Sequence, residues 1–447
     1  MERAPFLVIG AGLAGLSSGI ALGNDAILLE AESRAGGLVR SECFDGFWFD
    51  HVIHLLHVQH NSTEELLMGL PEHHLQRCPP TAWVETTAGT ARFPLQHHLS
   101  GLQPEAIERC IRSLEEASRS EAGTPSNYLE VLQQAFGEAL CELFFVPYNR
   151  KMWKRPLDQI TAAPTLWNLH RPSLDEVIRG ARKDAEITAS YNSHAFYPRP
   201  PSGAALRGME VISAGMAGQV ADLRLRHRVE AIHPADKSLT VTSPEGTTRI
   251  GWERALVCTM PLPLAISCCD TASPQLRERC AQMPHNLVLS VALSIRGPRP
   301  DLGHWRYYPD PSLPFTRLIF LHEFDPEMAP QDGWPLLAEV PLPAEGQHSS
   351  DEVLQDVCAA VRRCGALPEG SEIEAARVLV ADPAYVCFTD HSIAATEAAS
   401  QFLREQGIEP LGRYGRWQYL SMAQVIESGL SLGRELLGET DSQGARS

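Results

Sequence analysis

Apolar residues come first as a run of strand length, "PFLVIG", then with helical period in "LAGLSSGIAL", then as a second short run, "AILLE". That order predicts a strand, a helix and a parallel strand, a βαβ unit. Between about 100 and 190 the period is helical throughout. "PEAIERCIRSLEEAS" sets Ile107, Ile111 and Leu114 on one face, and "SNYLEVLQQAFGEALCELFF" does the same with Leu129, Leu132, Phe136, Leu140 and Phe144. Strand-length runs return in "RHRVEAIHP", "SLTVTS", "RALVCTMP", "NLVLSVALSI", "TRLIFLHEF" and "WPLLAEV". A helix, "SDEVLQDVCAAVRRC", interrupts them, and "MAQVIESGLSLGREL" is a last helix. The Pro-rich "YPRPPSG" reads as a loop that re-enters the first domain. A nucleotide-binding domain assembled from separated segments, with two insertions, is the simplest arrangement.

Composition narrows the partners. A chain of 447 residues, 44% hydrophobic and 21% charged, has room for two or three domains and a large core. Its formal net charge of −17 argues against nucleic acid or an anionic membrane surface. Any phosphate must be bound locally. Eleven cysteines, an odd number whose only adjacent pair is Cys268-Cys269, suit a reducing cytoplasm rather than a disulfide framework. The first residues resemble a signal peptide, with Arg3 before an apolar run, but Glu2 sits in the basic region and the glycines have a better explanation. No other stretch is apolar enough to span a bilayer.

That explanation is the spacing of Gly10, Gly12 and Gly15, a GxGxxG turn between strand and helix. The first glycine permits a tight turn, the second lets backbone approach a pyrophosphate, and the third allows close helix–sheet packing. Glu30 ends the second strand, where an acid accepts hydrogen bonds from a ribose. A dinucleotide site follows. A second glycine pair, Gly36-Gly37 after Arg34, stands just beyond the acid, an addition for which an NAD fold has no obvious need. The histidine-rich run "FDHVIHLLHVQH" invites a metal reading for His51, His54, His57 and His60. Neither helix nor strand periodicity brings those four rings together, so no metal is expected.

From the acid through Arg34-Ala35-Gly36-Gly37, the sequence resembles the FAD-dependent amine oxidases, protoporphyrinogen oxidases and UDP-galactopyranose mutases. The resemblance implies FAD, bound non-covalently, rather than NAD. It narrows to the mutase branch in "RFPLQHHL", "PYNRKMW", "YNSHAFYP" with Asn192, Phe196 and Tyr197, "PFTRL" and "ADPAYVCF". The C-terminal "GRYGRWQYLSMAQVIESG" matches the segment that covers the flavin, which implies cofactor contacts from Arg413, Trp417 and Met422; Val229 is implied likewise. Ala423 stands where the family often has Asp. Asp50 and His54 match a family stretch that passes beside the flavin, although Val52 and Ile53 replace its two glycines. His54 is thus either a flavin-facing hydrogen-bond partner or one histidine of a His-rich loop. Arg317 and Arg171 are candidates for gripping a substrate diphosphate, the alternative being salt bridges, and Tyr385 either adds a hydroxyl or packs. Trp153, Trp167 and Trp417 either stack on a base, close the pocket or fill the core.

The fold class expected is α/β: a Rossmann-like FAD-binding domain with a helical insertion and a mixed-sheet substrate domain. The FAD-binding domain is assigned residues 1–65, 191–265 and 406–447, a mainly helical insertion or substrate cap 66–190 and the substrate domain with its β-sheet 266–405. The resemblance implies pyranose–furanose isomerisation of a nucleoside-diphosphate sugar through reduced flavin N5. Flavin oxidation of an amine or carbon substrate is one alternative, and a non-catalytic flavoprotein is another. The oligomeric state is left open.

Overall fold

The structure, a computed structural model, describes residues 1–52, 55–58, 61–70, 72–119, 123–163, 171–182 and 194–438. It opens on β1 (Glu2–Ile9), α1 (Leu13–Leu22) and β2 (Ala26–Leu29), the βαβ unit expected. The last four residues of β1 and all of β2 are buried, because helices or loops cover both faces of a parallel sheet. A hairpin of β3 (Ser41–Phe44) and β4 (Phe47–Asp50) follows.

The next stretch contains α2 (Asn61–Gly69), β5 (Leu75–Arg77), β6 (Ala82–Thr86), β7 (Gly89–Arg92), α3 (Pro104–Arg119), α4 (Tyr128–Leu140), α5 (Val146–Trp153) and α6 (Leu174–Gly180). The chain then re-enters the first layer through β8 (Phe196–Pro198), α7 (Glu210–Ala217), β9 (Leu223–Arg224), β10 (Arg228–His233), β11 (Ser238–Ser243) and β12 (Gly246–Cys258). Beyond it run α8 (Leu262–Cys268), α9 (Pro274–Ala281), β13 (His285–Arg296), β14 (Trp305–Tyr307), β15 (Arg317–Phe320), β16 (Gly333–Pro343), α10 (Ser350–Arg363), β17 (Glu372–Val386) and α11 (Asp390–Glu405). Finally β18 (Ile408–Pro410), α12 (Gly412–Gly415) and α13 (Met422–Leu437) return to the start.

Two sheets organise these elements. The first has the order β10-β11-β12-β1-β2-β9, with β18 pairing β12, so three separate parts of the chain build it. The second runs β17-β13-β16-β15-β14-β6-β7. The segment assigned as a mainly helical insertion gives two strands, β6 and β7, to the second sheet before the stretch read as helical begins, with β6 parallel to β14.

On β13, alternation sends Leu289, Val291, Leu293 and Ile295 into a core shared with Val357, Ala360 and Val361 of α10. The opposite face carries Val288, Ser290 and Ala292 and turns toward the rest of the molecule. These are small residues where a long apolar run would have suggested bulk on both sides.

Candidate functional site

The glycine turn is built as its spacing requires, but each glycine answers to a different neighbour. Gly10 has φ +93°, and a Cβ there would strike the Thr259 hydroxyl, which itself hydrogen-bonds the Ile9 carbonyl at 2.7 Å. A Cβ on Gly15 would collide with the Gly10 carbonyl, the close helix–strand approach expected of the third position. A Cβ on Gly12 would meet nothing within 4 Å. The space beyond Gly12 lies at the N-terminus of α1, where main-chain amides lack intrahelical partners and favour an anion.

Glu30 ties this turn to the end of β2. Its carboxylate accepts from the amides of Ala11 at 2.6 Å and Glu32 at 2.9 Å. The strand before Val229 runs alongside, with the His227 amide 2.7 Å from the Glu30 carbonyl. The second glycine pair closes over the first turn. Gly36 donates to the Ala11 carbonyl at 2.8 Å and bridges Gly12, and a Cβ on Gly37 would lie 3.3 Å from the Gly12 Cα. Two glycine segments thus cross where side chains would hold them apart. Arg34, expected to touch the cofactor, is committed instead to Glu210, at 3.0 Å, to Glu42 and to the Ser41 carbonyl, at 3.3 Å. That arrangement anchors the loop to α7 and β3.

At the other end of the cradle, α13 begins with a capping box in which Ser421 accepts from the Gln424 amide, leaving the Met422 and Ala423 amides without intrahelical partners. Arg413 lies over the Tyr419 ring at 4.3 Å and donates to the Ala384 carbonyl at 3.2 Å. Its Nε is buried without a partner, a donor that a bound polar group would satisfy. Trp417 packs into the core with Leu262 and Ile266, its edge on His285. The open space at Gly12, the orphan amides and the Arg413 Nε fit a dinucleotide with a polar ring system at its far end.

Beside this cradle, strand register assembles a polar row that linear sequence does not show. Ser290 of β13 faces Glu339 of β16, Glu339 faces Arg317 of β15, and Arg317 faces Tyr307 of β14, so all four project from one side of the sheet. Arg317 grips Glu339 with two hydrogen bonds, at 2.8 and 2.7 Å, from Nε and one terminal nitrogen. Burial opposes its charge, but Glu339 and the neighbouring phenols more than offset this, and the guanidinium stays protonated. Its cation centre lies 5.9 Å from both the Trp305 and Tyr307 rings.

Tyr148 of α5 meets Tyr307 edge-on at 5.5 Å and stacks with Phe144 at 5.2 Å. Tyr385 meets the edge of Trp153 at 6.0 Å. Burial raises both phenols, and both Arg317 and Arg413 act on the Tyr385 hydroxyl. Tyr148, Arg317, Tyr385 and Arg413 lie deep in the molecule yet stay partly open to solvent, as residues lining a cleft do.

Of the sequence-expected residues, Arg317, Tyr385 and Trp153 come together here. Arg171 is exposed ahead of α6, and no hydrogen bond or ring contact among the described residues joins it to the cleft. His54, Trp167 and Asn192 lie outside the described residues. The His51 ring reaches Glu42 at 3.0 Å, and Asp50 is buried, accepting from Ser41 at 2.6 Å, Tyr197 at 2.7 Å and the Met209 amide at 3.0 Å. Sequence reading missed Glu339 and Tyr307 as site residues, and reached Tyr148 only as part of "PYNRKMW". A lone acid in the apolar run "WPLLAEV" was the available signal, because a buried carboxylate needs a partner.

No helix of the described residues is long and apolar enough to cross a membrane, and all eleven cysteines are free thiols. Residues 13–433 match the family described as flavin containing amine oxidoreductase. Among solved structures, reduced UDP-galactopyranose mutase superposes with a TM-score of 0.89 at 18% identity, over 98% of this chain and 96% of that one. A protein from Exiguobacterium sp. 255-15 named for protoporphyrinogen oxidase gives 0.71 at 19% identity, over 98% and 99%. A cofactor-site double mutant of putrescine oxidase gives 0.62 at 15% identity, over 98% and 99%. At these identities the likeness establishes the fold. The chain belongs to the flavin containing amine oxidoreductase family, and it is an FAD-dependent enzyme.

Proposed function

We propose that this enzyme isomerises the ring of a nucleoside-diphosphate sugar. The observation that carries the reading is the cleft in which Arg317, Arg413 and the phenols of Tyr148, Tyr307 and Tyr385 gather beside the cradle of a net acidic chain. FAD, when bound and reduced, supplies a nucleophilic N5 for the anomeric carbon. The chain's own residues orient the substrate and hold its leaving group. Arg317 keeps one terminal nitrogen beyond its pair with Glu339, and Tyr385 supplies a hydroxyl for the same pyrophosphate. Each charge-assisted contact contributes about 1.5–3 kcal/mol. A nucleoside diphosphate departs as an anion, so fixed guanidinium charge stabilises its departure and no protein acid is required. Phe144 and Tyr148 form a stacked aromatic platform suited to a base, while Trp153 against Tyr385 excludes water. Arg171 would add a second phosphate contact from the segment ahead of α6, and His54 a polar contact near the flavin.

The test is incubation of dithionite-reduced protein with a panel of nucleoside-diphosphate hexoses, followed by NMR of the products. The expected outcome is a ring-size isomer formed by reduced protein only, with no net use of reductant. Stoichiometric consumption of an acceptor with an amine panel, and no isomer from any sugar, would replace this reading with the oxidase one.

A further inference from the structure

The residues Tyr307 and Arg317 are opposite members of one cross-strand pair, and the loop 308–316 that joins them is closed from inside by a lysine of another element. The Lys151 ammonium on α5 donates to the carbonyls of Tyr308 at 2.7 Å, Asp310 at 2.8 Å and Phe315 at 2.6 Å. Three acceptors match the three donors of an ammonium, and a neutral amine could satisfy only two. The same short helix carries Tyr148 and Trp153, the opposite wall of the cleft. It is itself fixed, since Asn149 accepts from Tyr128 at 3.2 Å and Trp153 at 3.1 Å, and Asn286 of β13 donates to the Met152 carbonyl at 2.8 Å.

We propose that Lys151 is a positioning residue of the substrate cleft: by holding the three loop carbonyls, its ammonium sets Tyr307 and Arg317 at the correct distance from Tyr148 and Trp153 for a diphosphate-bearing ligand. The inference rests on the nucleoside-diphosphate reading above. It assigns Lys151 no contact with substrate or flavin.

The charged groups around Lys151 make this clamp sensitive to pH. Burial pushes the ammonium down to about 7, Lys154 at the end of the same helix pushes it further, and Asp310 on the loop supports it. Asp310 also interacts with Arg363 of α10, while Glu339 of β16 is occupied by Arg317. Because the folded value lies below that of a free lysine, the ammonium is complete below about 7 and is lost as pH rises through it. One carbonyl is then left without a donor and the loop loosens.

The experiment is calorimetric titration of the FAD-loaded protein with UDP-galactose, whose pyrophosphate diester keeps a constant charge from about pH 6 to about pH 9, with flavin content measured in parallel. Wild type should bind several-fold more weakly at the upper end of that range. Lys151→Met should bind about tenfold more weakly than wild type at the lower end, show no such pH dependence and retain its flavin; Lys151→Arg, which keeps charge and donors, should recover part of the loss. If Lys151→Met does not fold, Lys151→Gln takes its place. A variant that binds as tightly as wild type, or that keeps the wild-type pH profile, overturns the clamp alone. Wild-type protein that binds no UDP-galactose overturns both this proposal and the reading on which it rests.

Discussion

Replacing Gly12 by Ala tests the cofactor cradle without disturbing the fold, because the added methyl would enter open space at an ordinary φ of −74°. The apoprotein should melt within about 0.5 kcal/mol of wild type while FAD affinity falls about tenfold or more. Gly15→Ala should do the reverse in order: the methyl meets the Gly10 carbonyl, so the turn itself is lost at a cost of at least about 1–3 kcal/mol. Thermal melts and released flavin distinguish the two. Asp50 gives a pH-dependent case. Burial raises its folded pKa, partly countered by the Ser41, Tyr197 and Met209 hydrogen bonds, so the folded state holds a proton that the unfolded chain releases. Its contribution is most favourable below the unfolded value of about 3.9 and declines as pH rises through the folded one. Asp50→Asn keeps the three partners by turning its amide toward the Tyr197 hydroxyl. Its stability relative to wild type should therefore rise from pH 4 toward neutrality, measured by denaturant midpoints, and an unchanged difference would show that Asp50 stays ionised at little cost. Gly15 and Glu30 were legible in sequence because the Gly10 carbonyl and the Ala11 and Glu32 amides that they meet are close in the chain, whereas the Thr259 hydroxyl that Gly10 must clear is not. Arg317 was legible only as a charge in a motif; its bidentate partner stands 22 residues away and becomes visible only once β15 and β16 are in register.

At the scale of elements, the decisive contact is the crossing of α1 and α13. A Cβ on Gly429 would meet the Ser17 hydroxyl and the Ala14 carbonyl at 2.9 Å, and one on Gly433 the Ala21 side chain at 2.5 Å, so this close approach needs glycine in the later helix. Gly429→Leu should cost about 1–3 kcal/mol and lower flavin occupancy, because the first turn of α13 borders the cradle. Ser428→Ala, at the half-buried neighbour whose hydroxyl only donates back to the Gln424 carbonyl, should leave both near wild type. Helices with a strong apolar stripe, α3, α10 and α13, could be read from period alone. The Ala-rich α11 could not, since its buried stripe is chiefly Ala395, Ala399 and Leu403. Nor could β17, an edge strand that exposes Glu372, Glu374 and Arg377 and contains Pro383, or β7, whose four residues include no large apolar one. Such strands exist because a neighbour completes them, and local pattern does not contain the neighbour.

For the whole molecule, a formal charge of −17 surrounds a cleft that gathers Arg317 and Arg413. At about 0.1 M salt that field is screened beyond roughly 10 Å, so it repels an anionic ligand only near the surface, and the diphosphate-bearing substrate proposed above would be held only on entry to the cleft. The first sheet, which carries the glycine turn, is drawn from three parts of the chain: β1 and β2, then β9 to β12, then β18 with the α13 that covers α1. During synthesis that separation becomes a delay. At about 5–20 residues per second, the glycine turn leaves the ribosome on the order of 20–80 s before the helix that packs across it. For that interval the nascent chain carries half a nucleotide site, with the apolar face of α1 uncovered. Free flavin cannot rescue it by mass action, because the walls that would retain the ligand have not been made. Flavin retention in the cell therefore reports on completed translation: a chain stopped before residue 422 should be handed to chaperones or proteases as a colourless protein, however much cofactor is present.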